Sequence, residues 1–417
     1  AKVILIEKSK MGGDCLNTGC VPSKALIRSA GVSHLLSRSM EFGIKTGPSE
    51  VDFPLVMQRI RNVINKIAPH DSIERYTKLG VECIQGEAKI TSPFTVEVDG
   101  KVITTRNIVL ATGASPNVPA IAGLEHVKFV TSDTIWNLDK LPERLLVVGG
   151  GPIGCELAQA FSRLGSKVTQ IDKGSQPLAR EDEEVSAFML DKFRQEDIEF
   201  FGASELLRFE AHAGEFQAVV LNNGAESVIP FDVVLLALGR KANIRGFGLE
   251  TLGLETTEEG GLKVNNYLQT NFPNIMACGD VVGPYQFTHM AAHQAWYASV
   301  NSLFAGFKKF KVDYSLVPWA TFTDPEVARV GLNEKEARVS GVAYEVSKYN
   351  IGDLDRAITD GENHGFIKVL TPPGQDKILG VTIVAYHASE LIAEYILAMK
   401  HGLGLKKIMA TIHIYPT

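Results

Sequence analysis

The sequence is poor in cysteine, in long apolar runs and in net charge of either sign. Five cysteines in 417 residues are too few for a disulfide-built secreted scaffold, so a cytoplasmic protein is expected. The apolar runs are short, as at 233–238, which predicts no membrane-spanning helix. The formal net charge of −6 gives no indication of nucleic acid or an anionic membrane as a partner. These limits leave a globular chain long enough for two or three domains.

Two of the cysteines lie close together in a glycine-rich stretch. Cys15 and Cys20 are separated by four residues. Pro22 predicts a helix that begins beside Cys20, because proline suits the first turn of a helix. The positive end of that helix favours the thiolate form of Cys20. Residues 16–19 are expected to form a loop that folds Cys15 back over the helix start.

Three interpretations of this pair are open: two unrelated buried cysteines, half of a zinc site, or a redox-active pair. Zinc would need a second Cys or His pair nearby, and none follows at ligand spacing. A redox-active pair is therefore favoured, and we predict no metal site.

A second motif predicts a dinucleotide site. The apolar strand 145–148 leads into Gly149–Gly154, which fits the G-x-G-x-x-G pattern, and a helix follows. The next strand, 167–171, ends at Asp172, which lies 18 residues after Gly154. An acid in that place binds ribose hydroxyls and repels a 2′-phosphate, so NADH is favoured over NADPH, although Lys173 would soften the preference.

Other buried strands also end in residues suited to ligand binding. Glu7 ends the strand 3–6, where a dinucleotide-binding unit holds a ribose. The strand 108–110 runs into a tight turn at Thr112-Gly113, and another strand ends at Asp280. We expect these strand ends to line a ligand site.

Together these stretches resemble the class I pyridine nucleotide–disulfide oxidoreductases, a family that includes dihydrolipoyl dehydrogenase, glutathione reductase and mercuric reductase. The resemblance runs in order along nearly the whole chain. The matching stretches are 12–24, 111–113, 149–156, 236–240, 277–280, 321–328 and 413–417.

The resemblance implies an α/β fold with two Rossmann-like dinucleotide-binding domains, one for FAD and one for NAD(P), and an α+β C-terminal dimerisation domain. The implied cofactors are FAD and NAD(P)H, and the implied partner is a second subunit that completes the active site. The expected domains are 1–130 for FAD, 131–265 for NAD(P), 266–312 returning to the FAD and central region, and 313–417 for dimerisation.

The resemblance also implies roles for individual residues. Cys15 would be the interchange thiol, Cys20 the flavin-side thiol, and Lys24 would lie beside the flavin and pair with Glu156. The FAD site would include Glu7, Gly12, Gly13, Lys24, Ala88, Thr112, Gly113, Asp280, Met290, Ala291 and His293. The nicotinamide nucleotide site would include Gly149, Gly151, Gly154, Asp172 and Gly239.

Both ends of the sequence bear on these expectations. The Gly-rich turn that should precede Glu7 by about 20 residues is absent from the sequence, and roughly 25–30 residues of one βαβ unit are expected to be missing. We therefore expect this fragment to bind FAD poorly. At the other end, the chain stops after Tyr415-Pro416-Thr417.

Tyr415 departs from the pattern of the disulfide-reducing members, which have an acid–base histidine before the terminal Pro-Thr. Without that histidine, protonating a thiolate leaving group is harder. A mercuric reductase-like enzyme is therefore favoured, acting on Hg(II) or another small thiol-reactive acceptor. The alternatives are dihydrolipoyl dehydrogenase or another disulfide reductase and, in a different class, a non-catalytic thiol module that binds soft metal.

Overall fold

The computed structural model describes residues 2–47, 49–212, 214–304 and 306–417. The chain forms two compact units, each assembled from three separate segments. The first contains Ala1–Pro22, Gln58–Asn117 and Gly239–Asp313, and the second contains Ser23–Met57, Val118–Leu238 and Tyr314–Thr417.

Helices and strands alternate along most of the chain. The strands are β1 (Val3–Glu7), β2 (Val81–Gln85), β3 (Ala88–Ser92), β4 (Thr95–Val98), β5 (Lys101–Thr104), β6 (Ile108–Leu110), β7 (Ala114–Pro116), β8 (Phe129–Thr131), β9 (Arg144–Val148), β10 (Lys167–Ile171), β11 (Glu199–Phe201), β12 (Ser204–His212), β13 (Glu215–Asn222), β14 (Ala225–Phe231), β15 (Val233–Leu236), β16 (Arg240–Ala242), β17 (Ile275–Ala277), β18 (Trp319–Thr321), β19 (Glu326–Gly331), β20 (Glu345–Asn350), β21 (Phe366–Thr371) and β22 (Gly380–Ala385). The helices are α1 (Gly13–Asn17), α2 (Cys20–Ser37), α3 (Phe53–Ile67), α4 (Ile73–Lys78), α5 (Pro152–Arg163), α6 (Glu183–Gln195), α7 (Leu249–Leu252), α8 (Thr288–Phe304), α9 (Glu334–Val339), α10 (Asp355–Asp360), α11 (Ala388–Lys400) and α12 (Leu405–Met409).

The first unit combines parallel strand pairs with a small antiparallel sheet. β1 pairs with β2 and β6 pairs with β17, both in parallel, while β3, β4 and β5 form an antiparallel meander. Residues from these strands share one apolar cluster that includes Ile90, Leu110 and Ile275. Because parallel strands present their carboxyl ends along one edge, this packing places the ends of β1 and β2 side by side.

The second unit contains a five-stranded parallel sheet in the order β11-β10-β9-β15-β8. The central strands are apolar on both faces, as at Leu145, Leu146 and Val234, which is typical of a parallel sheet covered on both sides. The antiparallel sheet β12-β13-β14 shares its core through Phe209 and Phe231. The two glycine-flanked strands of the dinucleotide motif, β9 and β10, lie next to each other in the parallel sheet.

The C-terminal part of the second unit is an antiparallel sheet in the order β18-β19-β22-β21-β20. Helix α11 contributes Ala388, Ile392 and Ala398 to the core of that sheet. Within the described residues, no helix has both the length and the apolar character needed to cross a bilayer.

Candidate active site

The two cysteines of the glycine-rich stretch lie on successive helices. Cys15 is in α1, and Cys20 is the first residue of α2. Thr18 and Gly19 separate the helices, and both donate their amides to the carbonyl of Asp14, at 2.9 and 2.6 Å. The turn interrupts what would otherwise be one continuous helix, and the two thiols come into contact.

The expected loop over residues 16–19 is wrong in its first half, because Leu16 and Asn17 are helical. The Asn17 amide donates to the carbonyls of Met11 and Gly13, each at 2.9 Å, which anchors the helix start. Leu16 is buried against Gly12, where a Cβ would lie 2.4 Å from the leucine Cδ2. Gly12 also has φ of 88°, so a larger residue would be strained and would clash there.

The thiols contact each other and a hydroxyl of helix α8. Cys15 is half-buried and Cys20 is exposed, and the Cys20 Sγ lies 3.4 Å from Thr288 Oγ1. A hydrogen bond with Cys20 and burial raise the pKa of the Cys15 thiol, while Thr288 acts in the opposite direction. The Cys15 thiol is therefore harder to deprotonate than an ordinary cysteine thiol.

Arg240 joins the redox loop to the expected FAD residue Asp280. Its guanidinium forms an ion pair with Asp14, donates to the Ala114 carbonyl at 2.5 Å, and places Nε 3.9 Å from the Asp280 carboxylate. Burial raises the pKa of Asp280, and Arg240 partly offsets that effect. One cation thus balances two acids, one beside Cys15 and one at the end of β17.

Glu7 lies beside a cavity at the carboxyl ends of β1 and β2. The cavity has a volume of about 250 Å³, and Ile73 and Gln85 contribute to its lining. The Ser9 amide donates to the Glu7 carboxylate at 2.8 Å, which holds the acid at the cavity mouth. A pocket outside the carboxyl ends of parallel strands, with an acid at its edge, fits the nucleoside end of a dinucleotide.

The strand end at Thr112-Gly113 is held by a residue that sequence reasoning missed. The side-chain Nδ2 of Asn243 donates to the Thr112 carbonyl at 2.9 Å. Its backbone amide donates to the Gly113 carbonyl, also at 2.9 Å. Ala88 begins β3 opposite Val98 and packs against the core of the first unit.

The start of helix α8 carries the remaining expected FAD residues. Met290 is buried, and the Ala291 amide donates to the Phe287 carbonyl at 2.9 Å. The ring of His293 bonds the Asp313 carbonyl at 2.9 Å, so this side chain ties α8 to the segment that follows it.

In the second unit, the glycine turn fits a dinucleotide because Gly149 and Gly154 lie in tight positions, whereas Gly151 leaves the helix start open. A Cβ on Gly149 would lie 2.3 Å from the Ala237 carbonyl oxygen, and one on Gly154 would lie 2.1 Å from the Gly149 oxygen. Gly151 caps α5 and has open space around it. The open cap leaves the amides of a 12-residue helix accessible to a pyrophosphate.

Asp172 is fixed at the end of β10 by two backbone amides. The two carboxylate oxygens of Asp172 accept hydrogen bonds from the backbone amides of Gly150 and Gly174, each at 2.6 Å. Lys173 pairs instead with Glu205 at 3.1 Å. The fifth expected residue of this nucleotide site, Gly239, belongs to the first compact unit, where its carbonyl accepts from the Asn117 amide at 2.9 Å.

Lys24 and Glu156 form a direct ion pair within the second unit. Lys24 Nζ lies 2.8 Å from Glu156 Oε2 and 4.3 Å from the centre of the Phe322 ring. The Phe322 amide donates to the other carboxylate oxygen at 2.9 Å. The ion pair expected from the resemblance is therefore present, and Phe322 contacts both of its members.

The C-terminal segment carries two exposed side-chain pairs. The Tyr415 hydroxyl donates to Asp355 at 2.9 Å, and this contact raises the pKa of Tyr415. His413 Nε2 lies 2.7 Å from Glu394, and its Nδ1 lies 2.9 Å from the Thr411 carbonyl. The hydrogen bond with Glu394 raises the pKa of His413.

Two family models match this chain in succession. The model for pyridine nucleotide-disulphide oxidoreductases covers residues 1–295, and the model for the dimerisation domain of the same enzymes covers residues 317–417. The chain belongs to the pyridine nucleotide-disulphide oxidoreductase family.

Individual members of the family resemble the chain along its full length. A mercuric reductase of Lysinibacillus sphaericus and a dihydrolipoyl dehydrogenase of Chlamydia muridarum are each 35 % identical over 100 % of this chain, which spans 76 % and 89 % of those proteins. The solved HOCl-induced flavoprotein disulfide reductase RclA from Escherichia coli is 28 % identical with a TM-score of 0.88. That alignment covers 100 % of this chain and 92 % of RclA.

Family membership confirms the predicted α/β fold class, the enzymatic nature of the protein, and FAD and NAD(P)H as its cofactors. The matching dimerisation domain supports the predicted homodimer. Because the family consists of enzymes, the interpretation as a non-catalytic thiol module does not fit.

Sequence reasoning assigned no role to several residues that hold the expected site residues in place. Three of them lie inside matching stretches, but their contacts join segments that are distant in the sequence. The residues are Asp14, Arg240, Asn243, Thr288, Phe322, Asp355 and Glu394.

Proposed function

We propose that this enzyme is a mercuric reductase-like member that passes electrons from NAD(P)H through FAD and the Cys15/Cys20 pair to Hg(II) or a similar thiol-reactive acceptor. The observation that carries the proposal is Tyr415, which stands before Pro416-Thr417 and is bonded to Asp355. With its pKa raised, the tyrosine stays protonated and does not act as a base near neutral pH.

FAD and NAD(P)H, when bound, supply the two electrons and the hydride chemistry. The chain's own residues would hold them: Asp172 and the α5 amides at the nicotinamide nucleotide, and Glu7 and Asp280 at FAD. Lys24, fixed by Glu156, would provide a positive charge four residues after Cys20 on helix α2.

The thiol chemistry follows from the environments of the two sulfurs. Reduction of the Cys15–Cys20 disulfide adds two electrons and one proton, which leaves a thiol at Cys15 and a thiolate at Cys20. A soft ion such as Hg(II) binds thiolates and displaces the remaining proton to solvent, so binding needs no protein acid. That requirement matches a C-terminal segment with tyrosine in place of histidine.

A second candidate is a disulfide reductase, and the His413–Glu394 pair favours it. In that reaction a base first takes the proton of the Cys15 thiol. The Cys15 thiolate then attacks one sulfur of the acceptor, the acceptor's S–S bond breaks, and the departing thiolate receives that proton. His413 of the partner subunit would be this base and, as the histidinium, the donor. The Cys20 thiolate next attacks the Cys15 sulfur, which restores the disulfide and releases the second thiolate, and that thiolate takes a proton from solvent.

The experiment measures NADH oxidation by the dimer in excess FAD, since weak FAD binding is expected, and compares Hg(II), lipoamide and glutathione disulfide as acceptors. We expect turnover with Hg(II), little with the disulfides, and no effect of His413→Gln. Efficient lipoamide turnover that His413→Gln abolishes would contradict the proposal and support the second candidate. Alkylation followed by mass spectrometry provides a readout that does not depend on activity: reduction should expose Cys15 and Cys20 together.

We also propose that the enzyme acts in the cytoplasm as a homodimer with each active site completed by the partner. The small number of cysteines and the dimerisation domain support these two points.

A further inference from the structure

The end of helix α8 and the segment after it carry exposed apolar and basic side chains together. Three side chains on the helix, Trp296, Leu303 and Phe304, are about half exposed, and Phe307 just beyond it is 95 % exposed. Three lysines follow. The aromatic-basic patch is defined as Trp296, Leu303, Phe304, Phe307, Lys308, Lys309 and Lys311.

The patch is one continuous surface. Trp296 and Leu303 are seven residues apart, which puts them on the same face of α8. The amides of Phe307 and Lys308 both donate to the Phe304 carbonyl, at 2.8 and 3.0 Å, so the chain folds tightly at the helix end. The Trp296 ring then contacts the ring of Phe310 at a centroid distance of 5.6 Å.

Two of the lysines are held beside aromatic rings. Lys308 Nζ lies 5.1 Å from the Phe310 ring, and Lys309 Nζ lies 5.6 Å from the Tyr267 ring. The ammonium groups therefore stay at the level of the apolar side chains. This arrangement suits a boundary where one layer is charged and the next is apolar.

The local charge is opposite in sign to that of the whole chain. No acidic residue occurs between Asp280 and Asp313, whereas the complete sequence has a formal net charge of −6. A further exposed cation, Arg106, lies nearby, because the neighbouring Asn107 donates to the Ser302 carbonyl at 2.8 Å. A basic surface is thus maintained on an acidic protein.

We propose that the aromatic-basic patch docks the enzyme on an anionic lipid surface. Lysines are attracted to acidic headgroups, while exposed Phe, Trp and Leu side chains insert at the boundary between headgroups and acyl chains. A second copy of this chain is a poorer occupant, because two basic patches would repel each other. The proposal does not depend on which acceptor the enzyme reduces.

The test is flotation of the FAD-loaded dimer with phosphatidylcholine vesicles that contain or lack about 30 % phosphatidylglycerol, at about 0.1 M salt. We expect binding only to the anionic vesicles. Neutralising the lysines with Lys308→Gln, Lys309→Gln and Lys311→Gln should weaken binding roughly fivefold per lysine. Phe304→Ser with Phe307→Ser should weaken it further at every salt concentration, while NADH oxidation stays unchanged.

The matched control changes the same residue types elsewhere in the first unit: Phe94→Ser with Lys101→Gln, both exposed. This variant should bind vesicles like the wild type. The proposal is overturned if binding is absent, if neutral vesicles bind equally well, or if the control loses as much affinity. It is also overturned if the lysine variant binds vesicles normally but loses affinity for single-stranded DNA.

Discussion

Replacing Lys24 by methionine is expected to destabilise the protein by about 2 kcal/mol, because the Glu156 carboxylate then stays buried without its cationic partner. The two charges lie 2.8 Å apart, and the carboxylate also accepts the Phe322 amide. The Glu156 side chain is 8 % exposed and the Lys24 side chain is 35 % exposed.

The solvent exposure of the Lys24 and Glu156 side chains sets how much unfolding free energy the Lys24→Met variant loses. Removing one partner of a fully buried pair costs about 3–5 kcal/mol, whereas an exposed pair contributes about 0–1 kcal/mol. Lys24 lies between these limits, because solvent reaches about a third of its side chain. Glu156→Gln should cost less, about 1 kcal/mol, because it removes the buried charge and its one amide oxygen still accepts from one of the two donors.

Urea unfolding, followed by both circular dichroism and tryptophan fluorescence, measures the change in the free energy of unfolding. The control is Lys167→Met, because Lys167 forms an exposed pair with Glu199 at 3.8 Å and should change stability by less than about 0.5 kcal/mol. The double variant Lys24→Met with Glu156→Leu should be more stable than Lys24→Met alone. If Lys24→Met costs no more than the control, or the double variant is less stable, the buried-charge reasoning is refuted.

Three further predictions address the other parts of the site. Arg240→Gln should slow iodoacetamide labelling of the reduced thiols at neutral pH, because it leaves the Asp14 carboxylate unbalanced. Asp14→Asn should speed labelling, because it removes the negative charge. If both variants change the labelling rate in the same direction, the charge argument is wrong. Gly154→Ala should weaken NADH binding at least tenfold in a fluorescence titration, because its Cβ would meet a carbonyl oxygen at 2.1 Å. His413 should titrate above its ordinary pKa by NMR and return to it in Glu394→Gln. The stability that this pair adds should be full at acidic pH and lost as the pH rises through the raised pKa.

Contiguous motifs were predictable from the sequence because each carries its own local geometry. The turn at Gly149–Gly154 and the acid Asp172 follow from strand, turn and helix in succession, and the structure places them as the pattern indicates. The helix beside Cys20 is predictable for the same reason. The short helix that holds Leu16 was missed, because five residues are too few for an apolar period to be seen.

Contacts between distant segments were not predictable. Asp14 and Arg240 are 226 residues apart in the sequence, and only the tertiary fold brings them together. Glu394 lies on a helix whose pattern gives no reason to pair it with His413. In the same way, the single net charge of the whole chain does not reveal the basic segment that follows α8.

The assembly of each compact unit from three separate segments affects how the protein is made. The first unit needs both Ala1–Pro22 and Gly239–Asp313, which leave the ribosome roughly 290 residues apart. At about 5–20 residues per second, that interval lasts about 15 s to a minute. During this time the redox thiols are on the growing chain before Thr288 of helix α8, which Cys20 contacts, has been made. The order in which the segments are made therefore leaves the redox pair without its finished surroundings for most of synthesis.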